Sequence, residues 1–192
     1  MNRQKKGSLE EPTPTTRQSI DLAMAHHTAG RLDEAESLYR RILQAQPDQP
    51  VALHLLGVIA HQTGDNGTAV ELIAKAVAID PDYAKAHSNL GNALRQLGRL
   101  DEAVASYRQA LAVNPDLADA HYNLGVTLHD LGEAEEAAAC YRKALAIAPD
   151  YAEAHSNLGV VLEKLGKLDE AVASYRKALA IRLDNAEAHY NL

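Results

Sequence analysis

Four asparagines recur every 34 residues along the second half of the chain, at Asn89, Asn123, Asn157 and Asn191. Each lies in a nearly identical segment, AHSNLG or AHYNL, so the four side chains should occupy equivalent places in a repeated structure. The amide of an asparagine offers both a hydrogen-bond donor and an acceptor, so it can bind the N–H and C=O of one extended peptide residue at once. This chemistry makes the asparagines the first candidates for a site that binds a peptide backbone.

Metal binding and catalysis are the other chemistries that the side chains raise. Four histidines, His87, His121, His155 and His189, also follow the 34-residue period. Equivalent residues one repeat apart are too distant to share a zinc ion, since Zn–N bonds are about 2.0–2.1 Å long. The single cysteine, Cys140, has no histidine or acid partner in the repeat pattern. We therefore predict no catalytic residue, no metal site and no cofactor.

Composition narrows the class of protein and its partners. The 192 residues carry a net charge of −7 with a pI near 5.7, and the short basic run RQKK lies near the N-terminus. Nucleic-acid-binding domains usually carry a basic patch, so we expect no nucleic-acid partner. No run of 18 apolar residues occurs, which predicts no membrane helix. One cysteine gives no disulfide framework and favours a cytoplasmic location, and residues 1–15 read as a disordered tail.

The 34-residue unit reads as two helices joined by a tight turn. In residues 84–117, apolar side chains between Ala86 and Leu97 follow helical spacing. Gly98 interrupts the pattern and should supply the conformation of the turn. A second apolar face begins at Ala103, and Pro115 ends it because proline cannot continue the hydrogen-bond ladder.

Small residues within the unit carry a family resemblance. Gly91 should let the two helices approach closely, while Ala103 and Ala110 leave room for a neighbour and Tyr107 fills the gap between them. AHSNLG in the first helix and E-A-x-x-x-Y-x-x-A-L in the second closely resemble the tetratricopeptide repeat. The resemblance covers residues 16–192. It implies an all-α helix-turn-helix solenoid wound as a right-handed superhelix.

The repeat frame predicts five full repeats and the start of a sixth. Their bounds are 16–49, 50–83, 84–117, 118–151 and 152–185, followed by a truncated repeat at 186–192. Glycine falls at position 15 of all five full repeats. Repeat five has Leu183 where the family has proline, which predicts a longer second helix there.

The resemblance also places the asparagines. In this family the first helices line the concave wall, and position 6, which the asparagines occupy, faces the groove. Repeats about 10 Å apart match every third residue of an extended chain that rises ~3.3 Å per residue. This ladder is similar to that in the tetratricopeptide half of protein O-GlcNAc transferases. The predicted peptide-binding residues are Asn89, Asn123, Asn157, Asn92, Arg95 and Tyr122.

These observations favour a non-catalytic scaffold that binds a protein or an extended peptide in the concave groove. Duplication of a repeat would also copy the asparagines without a binding role, which leaves that alternative open. Solenoids need capping elements at their ends, and none follows repeat five. This raises two further alternatives, the N-terminal recognition region of a longer O-GlcNAc transferase-like glycosyltransferase and self-association through the uncapped C-terminal end.

Overall fold

The computed structural model describes residues 15–190, with side chains up to residue 183. Most of the predicted tail, at residues 1–14, lies outside the described residues, as do Asn191 and Leu192. Within the described range the chain forms ten helices and no strand. Their bounds are α1 Thr16–Thr28, α2 Leu32–Ala45, α3 Pro50–Gln62, α4 Asn66–Ile79, α5 Ala84–Gln96, α6 Leu100–Val113, α7 Ala118–Asp130, α8 Ala134–Ile147, α9 Ala152–Lys164 and α10 Leu168–Tyr190.

Local sequence signals set the ends of these helices. Thr15, which the sequence pattern assigns to the tail, is the N-cap of α1 and forms a capping box with Gln18. The glycines at position 15 of the five repeats all have positive φ angles, between 72 and 90°. At Gly98, the Gly98 N–H donates to the Arg95 carbonyl and the Arg99 N–H donates to the Leu94 carbonyl. This is a Schellman motif, which satisfies carbonyls that would otherwise lack donors at the end of α5.

Within each repeat, a glycine on the first helix receives a large side chain from the second. A Cβ atom built on Gly91 would lie 2.6 Å from Cε1 of Tyr107, which is fully buried. Tyr141 and Tyr175 approach Gly125 and Gly159 in the same way. The predicted close approach of the two helices is therefore confirmed, and the absence of a glycine side chain is what permits it.

The solenoid has a short inner wall and a longer outer one. Every helix packs against the next one along the chain, and the first helices α3, α5, α7 and α9 also contact one another in series. Among the described residues, the second helices make no such series of contacts. The first helices therefore line the inner side of the curve, where a binding groove can form.

The last helix continues through the position where the other repeats turn. Leu183 stands in place of the proline that ends the equivalent helices, and α10 runs on to Tyr190 without a break. The predicted lengthening of this helix is confirmed. The proposed start of a sixth repeat at Ala186 thus lies within α10. None of the helices in residues 15–190 is both long and apolar enough to cross a bilayer.

Candidate peptide-binding groove

Three of the predicted asparagines lie at equivalent places on the inner wall. Asn89 is on α5, Asn123 on α7 and Asn157 on α9, and all three side chains are half-buried. Each follows the residue at position 5 of the preceding repeat by 35 positions in sequence, and that residue decides what the amide contacts. Position 5 alternates between an aromatic ring and serine: His54, Ser88, Tyr122, Ser156.

Asn89 is held by a histidine from the preceding repeat. Its Nδ2–H donates to Nε2 of His54 at 2.8 Å, while Nδ1 of His54 lies 2.9 Å from the hydroxyl oxygen of Tyr83. Because Nε2 accepts a hydrogen bond, the proton of the neutral imidazole is on Nδ1 and is donated to Tyr83. His54 is buried, and burial, followed by the charges of Lys85 and His27, lowers its pKa from 6.5 to about 4. The imidazole is therefore neutral in the folded chain at pH 7.

Asn157 is held by a tyrosine in the equivalent way. Its Nδ2–H donates to the hydroxyl oxygen of Tyr122 at 3.1 Å. The ring of Tyr122 packs on Tyr151 with centroids 4.7 Å apart and on Tyr141 with centroids 5.9 Å apart. The predicted site residues Tyr122 and Asn157 are thus brought together, and the aromatic cluster fixes the orientation of the amide.

Asn123 differs from both, because its counterpart at position 5 is Ser88. No side chain in residues 15–183 hydrogen-bonds the Asn123 amide. The amide opens into a cavity of about 390 Å³ between α5 and α7, which Asn89 and Asn92 also line. A cation and an anion, Lys85 and Asp119, complete the wall on the two sides.

The two remaining predicted residues lie on α5. The Tyr107 hydroxyl donates to Oδ1 of Asn92 at 2.7 Å, which leaves the Asn92 N–H groups for the cavity. Arg95 does not line this cavity. Its Nε atom is buried and has no hydrogen-bond partner among the described residues. The structure therefore brings Asn89, Asn92 and Asn123 into one cavity and leaves Arg95 outside it.

Further contacts along the groove connect neighbouring repeats through positions 12 and 13. Nε2–H of His27 donates to Oε1 of Gln62 at 2.9 Å. Three repeats further on, the Lys164 ammonium donates to Nε2 of His129 at 2.5 Å. These links show that polar side chains on the inner wall stabilise the stacking of the repeats as well as facing the groove.

The position-4 histidines have a structural contact that the sequence did not predict. Nε2–H of His87, His121 and His155 donates, in each case at 2.9 Å, to the carbonyl of the proline six residues earlier. They thereby fix the turn between repeats. Within the described residues, no cluster of three His, Cys, Asp or Glu side chains could hold a metal ion. Burial raises the pKa of the Cys140 thiol, which lies partly buried against the core.

Sequence reasoning missed the groove roles of His54, Tyr83, Lys85 and Asp119. The alternation at position 5 was the available signal for His54, because the residue directly before the asparagine changes from repeat to repeat. Its meaning depends on which side chains meet across repeats, and period alone does not reveal that.

Comparison with known proteins agrees with this architecture. A family model described as a TPR repeat matches residues 91–132, and models described as tetratricopeptide repeats match 20–84, 72–105 and 116–184. Among curated proteins, none matches the sequence significantly.

Several solved structures share the fold. MamA is 31% identical, with a TM-score of 0.80 over 88% of this chain and 98% of MamA. MamA from Desulfovibrio magneticus is 19% identical, with a TM-score of 0.78 over 88% of this chain and 96% of that one. YrrB, described as a TPR protein with an unusual peptide-binding site, is 20% identical, with a TM-score of 0.74 over 92% of this chain and 91% of YrrB. The helical repeats, the turn glycines and these matches together show that the chain belongs to the tetratricopeptide-repeat family.

Proposed function

We propose that the chain is a binding scaffold that holds an extended peptide or protein segment in its concave groove. The observation that carries this proposal is the amide of Asn123, which opens into a cavity between two repeats without a side-chain partner in residues 15–183. A half-buried amide has hydrogen bonds to give, and a peptide backbone offers both the acceptor and the donor that it needs.

Asn89 and Asn157 support the same proposal in a different way. Each spends one N–H on a neighbouring ring, which leaves a carbonyl oxygen and a second N–H for a ligand. The contacts to His54 and Tyr122 hold these amides in one orientation, and an ordered side chain loses less entropy on binding. YrrB has the same fold and a peptide-binding site, so the fold is able to support this function.

Nuclear magnetic resonance mapping tests the proposal. A peptide selected from a random nine-residue phage library would be titrated into the isotope-labelled chain. Nine extended residues span ~30 Å, or about three repeats. We expect shifts in the side-chain amide signals of Asn89, Asn123 and Asn157, with α6 and α8 unaffected. Shifts confined to α6 and α8 would contradict groove binding.

The glycosyltransferase alternative rests on the asparagine ladder alone. Nothing else in residues 15–190 favours an enzymatic partner domain, so this alternative stays a prediction from resemblance. A groove that binds peptide backbone would serve a scaffold and an enzyme's recognition region equally well, and the mapping above applies to both.

Self-association has an observation of its own on α10. Leu168, Val172, Leu179 and Leu183 form one exposed stripe and are 47 to 67% exposed. In the third repeat, Val104 is the equivalent of Val172 and is only 7% exposed, because the next repeat covers it. We propose that this face pairs with a second copy. Light scattering should show a mass that rises with concentration and returns to one chain in Leu179→Glu but not in Ala105→Glu. A constant single-chain mass for the unmodified protein would contradict this.

A further inference from the structure

The charge of the groove reverses sign between the third and fourth repeats. Lys85 on α5 and Asp119 on α7 are equivalent residues 34 positions apart, and both are exposed. They line the same cavity as Asn123. Arg95 adds a second cation to the inner face of α5. Acidic residues follow at inner-wall positions of α7 and α9: Asp130, Glu153 and Glu163.

The two charges at this boundary are available to a ligand. In residues 15–183, neither Lys85 nor Asp119 forms a salt bridge. Both lie close to the rings of the groove. The Lys85 charge contributes, after burial, to the lowered pKa of His54, and the Asp119 carboxylate contributes, after burial, to the raised pKa of Tyr151.

Ligands of uniform charge are poorly matched to such a wall. A run of basic side chains would place one of them beside Lys85 and Arg95. A run of acidic side chains would meet Asp119 and the carboxylates beyond it. Like charges placed together at an interface disfavour a partner, whereas opposite charges fix its register.

The spacing of the repeats gives the spacing of the complementary charges. In a polyproline-II conformation, side chains three residues apart share one face and are about 9 Å apart. Neighbouring repeats are about 10 Å apart. A ligand with one acidic and one basic side chain separated by two residues can therefore place the acid over Lys85 and the base over Asp119.

We propose that the groove selects extended segments in which an acidic and a basic side chain are three residues apart, with the acid at repeat three and the base at repeat four. The inference rests on the proposed function and adds the chemistry of the partner to it. Backbone contacts to Asn123 supply the affinity in this account, and the charge pair supplies register and direction.

Fluorescence anisotropy with defined nine-residue peptides tests the proposal. Four labelled peptides would share Ala, Gln and Pro spacers and differ only in the central pair: Glu-x-x-Lys, Lys-x-x-Glu, Lys-x-x-Lys and Glu-x-x-Glu. We expect one of the two mixed-charge orders to bind at least about fivefold more tightly than either same-charge peptide, a factor that corresponds to one favourable exposed charge pair. The order that binds better reports the direction of the chain in the groove.

The charge-swapped double variant Lys85→Asp with Asp119→Lys provides the decisive comparison. With the backbone direction unchanged, the swap should reverse which mixed-charge order binds better. The matched control is Arg108→Glu with Glu136→Arg, which exchanges a salt-bridged pair on α6 and α8 and should leave the preference unchanged.

The outcomes separate the inference from the proposed function. Equal binding of the same-charge peptides, or an order preference that the swap leaves unchanged, would overturn the charge pairing. If binding were also lost in Asn123→Ala, the groove would still be the site. Binding of no peptide to the unmodified chain would contradict the proposed function and the inference together.

Discussion

Lowering the pH from 7 to 5 should weaken the junction between the second and third repeats, because His54 must be neutral to form it. Nε2 of His54 accepts a hydrogen bond from Asn89, and a protonated imidazole has no lone pair with which to accept it. Burial also opposes the charged form and lowers the pKa of His54 from 6.5 to about 4. The unfolded chain therefore binds a proton at a higher pH than the folded chain does.

The sign and size of the effect follow from linkage. A folded-state pKa below the unfolded value means that the stability from neutral His54 is complete above pH 6.5 and is lost as the pH falls from 6.5 towards 4. At pH 5 the loss is about 2 kcal/mol relative to pH 7, from the difference between the two pKa values. Burial also lowers the pKa of His121, so it adds to the slope in the same direction.

Urea denaturation at pH 7 and pH 5, on the unmodified chain and on His54→Gln, isolates the term. A glutamine can accept from Asn89 and donate to Tyr83 but does not titrate, so the variant should lose about 2 kcal/mol less on acidification. The pKa of His54 can also be read directly from its imidazole proton signals. Equal pH dependence of both proteins, or titration of His54 near 6.5, would refute the reasoning.

Three further substitutions test the packing that positions the groove. Gly91→Ala places a Cβ 2.6 Å from Cε1 of Tyr107 and should lower the free energy of unfolding by about 1–3 kcal/mol in urea denaturation; an unchanged midpoint would contradict the close approach. Gly67→Ala is the control, because its nearest contact is 3.6 Å away, and it should raise stability by up to ~1 kcal/mol. Tyr107→Phe removes the donor to Asn92 and should cost about 1 kcal/mol. Leu183→Pro should shorten α10, seen as reduced helical circular dichroism; an unaltered spectrum would show that another feature sets its length.

The sequence predicted the parts of the fold that depend on local chemistry. A period of 34 residues, a glycine at each turn and a proline at each repeat boundary act within a few residues, so the helices and their turns could be predicted. Leu183 predicted the longer α10 for the same reason. The approach of Tyr107 to Gly91 was also predictable, since the two lie in one repeat.

The groove was less predictable because its contacts cross between repeats. Equal spacing made Asn89, Asn123 and Asn157 look equivalent, but their surroundings differ. His54 and Tyr122 engage two of the amides, and Ser88 is too short to engage the third. Which side chains meet across 35 residues depends on the stacking of the helices, and that is fixed only in the folded solenoid.

Calorimetric titration of the library-selected peptide into the unmodified chain and into the triple variant Asn89→Ala, Asn123→Ala, Asn157→Ala tests the central claim most directly. Circular dichroism of the variant would verify that the helices persist. The account predicts that the variant keeps its helical signal and loses at least about tenfold in affinity, the equivalent of about 1.4 kcal/mol. An unchanged affinity in a folded variant would contradict the role of the asparagine amides in binding.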